Sequence, residues 1–229
     1  MAKIVWDQIG EKKYETGVDH AVLYSLNSKG VYTPGVAWNG VTSIAESPDG
    51  AEPESQYADN VKYLTIISAE ELNGTIEAFT YPHEWELCDG TAEIAPGVTI
   101  GQQARKTFGL SYRTKIGNDI DGQDHGYKLH LLYGGVASPS ERTYETINES
   151  PEAISLSWDY TTTPVPVTGH NMTSLVTIDS TLVDKDKLAA LEKILYGSED
   201  DDARLPLPDE VAALLGEGSS EIDTARLFR

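Results

Sequence analysis

The sequence has little positive charge, a single cysteine and no long apolar run. Its 229 residues include 17 Lys and Arg against 37 Asp and Glu, which gives a formal net charge of −20 at pH 7. Proteins that bind nucleic acid neutralise phosphates with Lys and Arg, so this balance argues against a general affinity for nucleic acid. It equally argues against attachment to an anionic membrane surface.

The single cysteine and the lack of a long apolar run exclude further classes of protein and of metal site. The lone Cys88 excludes a disulfide within the chain and any zinc site that needs two or more cysteine ligands. No stretch approaches the roughly 18 apolar residues of a membrane helix, so we expect no membrane partner. The first residues, MAKIVWDQIGEKKYETG, lack the apolar centre of a secretory signal peptide, which leads us to expect folding in a cytoplasm.

Most of the chain has the pattern of strands and turns. Apolar, β-branched and aromatic residues alternate with polar ones between clusters of Gly, Pro, Asn and Asp. The predicted strands are 20–26, 35–44, 62–68, 74–81, 106–114, 126–133, 153–161 and 174–178. Strand 62–68 is expected to be half-buried, and Ile76 and Ala78 should share one face of strand 74–81. The pattern is typical of a mainly β fold, an antiparallel β-sandwich or barrel.

Helical signals are few. Residues 184–196 carry Leu188, Leu191, Ile194 and Leu195 at helical spacing, and Gly197 can end the helix. Residues 208–215 favour a second short helix that begins at a proline, and residues 82–88 favour a helical turn. We therefore expect little helix, with residues 184–196 as the one flanking helix beside the β domain.

Three polar segments are expected to lie outside the core. The domain itself should span residues 14–197, with an N-terminal arm (1–13) before it and an acidic C-terminal arm (198–229) after it. We expect at least part of the C-terminal arm to be mobile in a free monomer. Residues 46–60 are polar and rich in acids and prolines, and they are predicted to form a long loop.

Motifs for chemistry are weak or incomplete. His83 and Glu84 begin like a metalloprotease motif, but Leu87 stands where a second histidine is required. His83 and Cys88 are a conceivable base and nucleophile, although a packed cysteine is far more usual.

The best metal-like string is NDIDGQD, residues 118–124. Asp119, Asp121 and Asp124 are weak candidates for Ca²⁺ ligands, but the register of an EF-hand would place Lys128 at its last ligand position. The favoured interpretation is an acidic turn between two strands, one form of which is a turn fixed by subunit contacts. We therefore expect no metal or other cofactor.

Two functional alternatives remain open on the residues alone. Trp6, Trp38, Trp85 and Trp158 could form a sugar-stacking platform, as in an acidic all-β carbohydrate-binding module. Trp38 and Trp158 lie in strand patterns, however, where the core is the commoner place. Paired carboxylates for glycoside hydrolysis are possible in any chain with 37 acids, but no motif singles out a pair.

Two long stretches carry a family resemblance. Residues 105–165, RKTFGLSYRTKIGNDIDGQDHGYKLHLLYGGVASPSERTYETINESPEAISLSWDYTTTPV, strongly resemble the major tail tube proteins of long, non-contractile-tailed bacteriophages. Residues 38–90, WNGVTSIAESPDGAEPESQYADNVKYLTIISAEELNGTIEAFTYPHEWELCDG, are similar to the same family, as is GVTIGQQ at 97–103. The resemblance extends over about residues 14–182 and is weakest after Tyr196.

The resemblance implies a structural, non-enzymatic protein of the virion. Tail tube proteins have a β-sandwich or barrel with a flanking helix and extended terminal arms, and they assemble in the host cytoplasm into rings, usually hexameric. The rings stack into a hollow tube, the tape-measure protein fills the lumen, and double-stranded DNA later passes through it without being bound. Further partners are the tail terminator and the tail-tip or baseplate proteins. The tube of a contractile tail or of a phage-derived particle is the alternative within this interpretation.

The resemblance also directs attention to the surfaces where subunits and rings meet. We expect the arm, the 46–60 loop and the acidic turn to form these contacts, because a large aromatic outside the core often anchors an interface. The candidate interface residues are Trp6, Ile9, Glu46, Asp49, Glu52, Glu54, Tyr57, Asn118, Asp119 and Asp121.

Overall fold

Antiparallel strands dominate the computed structural model, which describes residues 4–144, 146–147 and 153–216. The strands are β1 (Tyr14–Leu26), β2 (Tyr32–Ala37), β3 (Val41–Gly50), β4 (Pro53–Ala58), β5 (Val61–Ile67), β6 (Glu70–Ala78), β7 (Ala92–Ala95), β8 (Val98–Ile100), β9 (Phe108–Asn118), β10 (Gly122–Ala137), β11 (Leu156–Thr162) and β12 (Leu175–Asp179). The helices are α1 (Glu86–Asp89), which a 3-10 turn at His83–Trp85 precedes, α2 (Lys185–Tyr196) and α3 (Pro208–Gly216). The predicted mainly β, antiparallel fold is confirmed.

Eight strands form one sheet in the order β2-β1-β9-β10-β11-β6-β3, with β12 as an additional partner of β10. Two further hairpins, β4–β5 and β7–β8, are separate two-stranded sheets. The 16-residue strand β10 joins the two halves of the large sheet, because Lys128–Leu132 pair with β12 and Gly135–Ala137 pair with β11.

The sheet bends at Gly134, so that its two halves pack face to face. Gly134 has φ +65°, and the pairing of β10 with β9 shifts register between Leu132 and Gly135. Such a bulge allows one strand to pass from one sheet layer to the other. Phe108 on β9 consequently meets Tyr160 on β11 across the core, with ring centroids 6.1 Å apart.

Aromatic side chains fill the space between the two halves. Trp38, Trp85 and Trp158 contact one another with ring centroids 4.6 to 5.7 Å apart, and all three are buried. The 3-10 turn before α1 inserts Trp85 against Phe108. The core positions expected for Trp38 and Trp158 are confirmed, and Ile76 and Ala78, predicted to share one face of their strand, are both buried.

The helices cover the opposite face of β1, β9 and β10. Leu129 and Leu131 of β10 pack against Leu188, Leu191 and Leu195 of α2 in a second buried cluster. Asp184 caps α2 by accepting hydrogen bonds from the backbone N–H groups of residues 186 and 187. These three strands are therefore buried on both faces, and the helices predicted at 184–196 and 208–215 are confirmed, as is the turn at 82–88.

Several predictions about boundaries are wrong. The single strand predicted at 35–44 is two strands, because the chain turns through residues 38–40 with Gly40 at φ +79°. The loop predicted at 46–60 is the end of β3 and all of β4, since its backbone groups pair with β6 and β5. Strand 62–68 exists as β5, but every one of its residues is exposed.

The C-terminal arm predicted from residue 198 is also wrong in part. Leu205 is buried and its N–H donates to the carbonyl oxygen of Tyr32, 3.1 Å away. Val211 of α3 is buried in the same cluster as α2. Leu205 and Val211 thus belong to the folded domain, although the stretch around them is acidic. The prediction for residues 217–229 lies outside the described residues.

Replacing Gly134 by alanine is expected to destabilise the fold more than the backbone conformation alone explains. A Cβ there would lie 2.0 Å from the carbonyl oxygen of Thr163, whereas a Cβ at Gly97, which has φ +75°, would meet nothing within 4 Å. We expect Gly97→Ala to lose about 1–2 kcal/mol of the free energy of unfolding and Gly134→Ala about 3 kcal/mol or more. Urea unfolding of both variants measures this, and equal losses would contradict the role of the bend.

Candidate assembly interface

A β-hairpin projects from the sandwich between β3 and β6. We call residues 50–70 the hairpin arm; it contains β4 and β5, which pair only with each other among the described residues. At its base, Gly50 has φ +83° and Ala51 φ 53°, and a Cβ on Gly50 would lie 2.5 Å from the carbonyl oxygen of Ala69. This close approach requires glycine and separates the hairpin arm from the large sheet.

The tip of the hairpin arm is a tight two-residue turn. Asp59 and Asn60 have φ values of 50° and 62°, the left-handed conformation of a type I′ turn, and Ala58 pairs with Val61 across it. Asn and Asp tolerate this conformation better than other residues with a side chain. The turn therefore sets the register of β4 and β5 locally, without help from the core.

Apolar side chains of the hairpin arm are exposed on both of its faces. Leu64 and Ile66 share one face of β5 while Ile67 lies on the other, and Tyr57 and Tyr63, beside a register shift in the β4–β5 pairing, are each 72% exposed. An isolated two-stranded hairpin is at best marginally stable in water. Large exposed apolar patches on a folded protein mark interaction sites. The hairpin arm is thus the described surface with the clearest requirement for a partner.

The N-terminal arm also presents large apolar side chains. Trp6 is 75% exposed and Ile9 is 84% exposed. The backbone N–H of Gly10 donates a 3.0 Å hydrogen bond to Oδ1 of Asp119 in the β9–β10 turn. Two of the three predicted interface elements, the arm and the acidic turn, therefore lie together in a single chain.

Hydrogen bonds of the Asn118 side chain hold the acidic turn. The buried side chain of Asn118 accepts hydrogen bonds from the backbone N–H groups of residues 120 and 121 and donates to Oδ2 of Asp121 at 3.1 Å. His125 and then Asn118 lower the pKa of the Asp121 carboxyl. No three His, Cys, Asp or Glu residues in the described parts of the chain cluster as metal ligands. The Ca²⁺ candidate at Asp119, Asp121 and Asp124 is therefore not brought together.

Glu46 differs from the other predicted interface residues, because its side chain, which is 30% exposed, reaches the facing layer of the sandwich. Its carboxylate accepts a hydrogen bond from the Tyr112 hydroxyl, and Oε1 lies 3.3 Å from Nδ1 of His130. The rings of Tyr112 and His130 stack in parallel, 4.7 Å apart, and Thr114 lies 3.0 Å from Nε2 of His130. This cluster joins β3, at the base of the hairpin arm, to β9 and β10 in the facing layer.

Burial and charge set the pKa values in this cluster. The imidazole of His130 and the hydroxyl of Tyr112 lower the pKa of the Glu46 carboxyl, although burial acts in the opposite direction. Burial, and then the neighbouring carboxylate, raise the pKa of Tyr112. The prediction missed Tyr112 and His130; the histidine within the apolar run LHLLY was the available signal.

The remaining predicted interface residues are exposed along β3 and β4. Asp49 lies opposite Glu71 in the β3–β6 pairing, and Glu52 and Glu54 follow on the way to the tip. Like charges directly opposite each other destabilise a sheet. No ion pair within the described residues includes Asp49 or Glu71.

The structure assembles neither of the two alternative sites, the tryptophan platform and the His83–Cys88 pair. Trp38, Trp85 and Trp158 are buried, so the four-tryptophan sugar platform is wrong. Cys88 is buried, as expected of a packed cysteine, and burial raises the pKa of its thiol to about 12. His83 lies 3.4 Å from Glu86 and 3.5 Å from Glu93, and the described hydrogen bonds include none between His83 and Cys88.

Replacing Glu46 by glutamine should remove a pH-dependent part of the stability. The lowered pKa means that the folded state favours the charged carboxylate, so this contribution is present at neutral pH and is lost as the pH falls through the lowered pKa. We expect Glu46→Gln to lose about 1 kcal/mol at pH 7, and we expect the difference from the wild type to shrink as the pH is lowered through the lowered pKa of Glu46. Denaturant unfolding across a series of pH values measures this; Glu70→Gln, at an exposed position on β6, is the control, and a pH-independent difference would contradict the expectation.

Neither a scan against protein-family models nor a search of curated proteins gives a match. Within the described residues, no helix is both long enough and apolar enough to cross a membrane. The functional conclusion therefore depends on the geometry of the hairpin arm and on the resemblance of the sequence.

Proposed function

We propose that this protein is a structural, self-assembling subunit of the tail tube of a long, non-contractile-tailed bacteriophage. Copies of the chain associate into rings, six subunits each, and the rings stack into a hollow tube of the virion through which double-stranded DNA is delivered. The observation that carries the proposal is the hairpin arm, which is apolar on both faces and exposed. The family resemblance of residues 38–90 and 105–165 supplies the identity of the assembly.

A second copy of the chain is the occupant that the hairpin arm fits best. The arm is set by its own turn and by Gly50, so it is presented in a defined direction before any partner binds. A contact between an arm on one copy and a different surface on the next is heterologous, and such contacts produce rings or open filaments. A stacked tube requires one such contact that closes into a ring and a second that continues from ring to ring along the tube axis.

The charges of the chain are compatible with this arrangement. The hairpin arm carries Glu52, Glu54, Asp59 and Glu70 against the single base Lys62. Lys12, Lys13, Lys115 and Lys185 take part in no ion pair within the described residues, and they belong to the N-terminal arm, β9 and α2. Opposite charges on separate elements favour an ordered contact between copies over random association.

The acidic balance also suits the proposed passage of DNA. A duplex presents about one phosphate per 1.7 Å, so a basic channel wall would hold it at many points. A net charge of −20 per subunit gives the assembled wall a potential that repels the phosphates. The tape-measure, terminator and tail-tip or baseplate proteins are the partners that this proposal implies. The same geometry would serve the tube of a contractile tail or of a phage-derived particle.

Introducing charged residues on an apolar face of the hairpin arm should abolish tube formation without unfolding the subunit. Leu64 and Ile66 are exposed on one face of β5, so Leu64→Asp with Ile66→Asp leaves the core unchanged but prevents burial of that face in an interface. We expect negative-stain electron microscopy across a concentration series to show tubes or rings of uniform diameter for the wild type, and only small particles for this variant. Circular dichroism should show the same fold in both.

The matched control is Leu64→Val with Ile66→Val, which retains an apolar face and should assemble. Tubes of normal length from the aspartate variant would contradict a role for the hairpin arm. A wild type that stays small, even with tail-tip and tape-measure proteins added, would contradict the tube proposal itself.

Deleting residues 1–13 should leave a folded, soluble protein that does not polymerise. In the described part of the N-terminal arm, the only hydrogen bond to the rest of the domain is that from Gly10 to Asp119, so little stability is lost. Trp6 and Ile9, in contrast, are removed from the surface that meets another copy. Sedimentation velocity and microscopy measure the result; Gln8→Ala, an exposed position that keeps both apolar side chains, is the control, and normal tubes from the deletion would show that the arm is dispensable.

A further inference from the structure

An apolar groove lies between β12 and α3, away from the hairpin arm in the sequence. Its volume is about 600 Å³, and its apolar lining includes Val176, Ile178, Leu182, Val211, Ala212 and Leu215. Leu182 is 82% exposed. Ile178 and Val211 are already buried, so the exposed apolar surface of the groove includes Leu182 but not the whole lining. Such exposed surface is costly in water unless something covers it.

The groove runs along a strand edge. Four consecutive residues of β12, from Val176 to Asp179, line it, although successive side chains of a strand point to opposite faces. The groove must therefore follow the edge of the strand rather than one face. Among the described residues, β12 pairs with β10 alone, so the backbone groups of this edge are available to an extended peptide.

We propose that the C-terminal segment of the same chain, residues 217–229, binds in this groove. The described chain reaches Gly216 at the end of α3, and Leu215 already lines the groove. Thirteen residues can span about 45 Å when extended, which is ample for a return along α3 to β12. Gly218 follows two residues after α3, where a glycine permits the chain to reverse.

The composition of the segment fits the groove. EGSSEIDTARLFR carries its three acids within its first seven residues and ends with the adjacent apolar pair Leu227 and Phe228, flanked by Arg226 and Arg229. Asp179 lines the groove, and Asp209, whose carboxylate accepts hydrogen bonds from Thr168, stands next to Pro208 of the lining. The two arginines beside the apolar pair are complementary in charge to these carboxylates.

The hairpin arm of a second copy is a poorer occupant of this groove. Its four acids and one base give a net charge of −3, against −1 for residues 217–229, and it has no pair of bases beside an apolar pair to offer to Asp179 and Asp209. A C-terminal segment docked on its own chain, by contrast, is present at a high effective concentration whatever the protein concentration. The inference concerns a single subunit and goes beyond the proposed tube assembly.

Disulfide trapping in the full-length protein tests the proposal. The pair Ala212→Cys with Phe228→Cys places one thiol in the groove and one in the segment, whereas Ala213→Cys with Phe228→Cys places the first thiol on the same helix but outside the groove lining. Both alanines are exposed, so neither substitution disturbs the core. In dilute, monomeric protein we expect the groove pair to oxidise at least tenfold faster than the control pair, as measured by non-reducing electrophoresis and peptide mass.

Equal rates for the two pairs would overturn the proposal, and disulfide-linked dimers would place the segment on a second copy instead. Adding Leu227→Asp to the groove pair should reduce its rate to that of the control, because the apolar anchor is lost; an unchanged rate would mean that chain proximity alone explains the trapping. Phe228→Cys alone reports any reaction with Cys88, which is buried. A protein that forms no tubes can still pass this test, so its failure and that of the tube proposal are distinguishable.

Discussion

β10 lies at the centre of the molecule, and each of its faces packs against a different layer. Its side chains alternate between the aromatic core of the sandwich and the leucines of α2, while its two halves pair with β12 and β11. Gly134 makes this possible, because only a residue without a Cβ fits against the carbonyl oxygen of Thr163 at the bend. The helices are then required, since β1, β9 and β10 would otherwise expose a second apolar face.

The hydrophobic core is complete within one chain, so the elements that project from the domain are not needed to close it. The β4–β5 hairpin and the N-terminal arm contribute little to the packing of the domain, yet they hold many of its exposed large apolar side chains. Glu46 connects these two roles, since it belongs to the strand that leads into the hairpin arm and is held by Tyr112 and His130 of the facing layer. A polar cluster therefore connects the strand that leads into the hairpin arm to the facing layer, in addition to the packing of Leu72 of β6 on the core.

The fold class could be predicted from the sequence because strands buried on one face show clear alternation, as in residues 74–81. The helix at 184–196 was equally clear from the spacing of its leucines and from Asp184 and Gly197 at its ends. The strands at 46–60 could not be predicted, because both faces of that hairpin are exposed and no periodicity records a buried side. Leu205 and Val211 were missed because acidic neighbours mask two apolar residues whose partners, Tyr32 and Leu191, are distant in the sequence. Tyr112 and His130 belong to predicted strands, but nothing local indicates that a carboxylate from β3 will meet them.

The pairing of distant segments also determines the order in which this chain can fold. The hydroxyl of Tyr24 donates to the carbonyl oxygen of Leu195, 171 residues later, and Thr33 reaches Ala203 across 170 residues. Contacts of such separation close slowly, because loop entropy is lost before they form. The β4–β5 hairpin, in contrast, needs only its own turn and can form while the chain is still emerging from the ribosome. The apolar residues of this hairpin are thus exposed before the domain that carries them is complete, and the growing chain must remain unassociated until its last helices close the core.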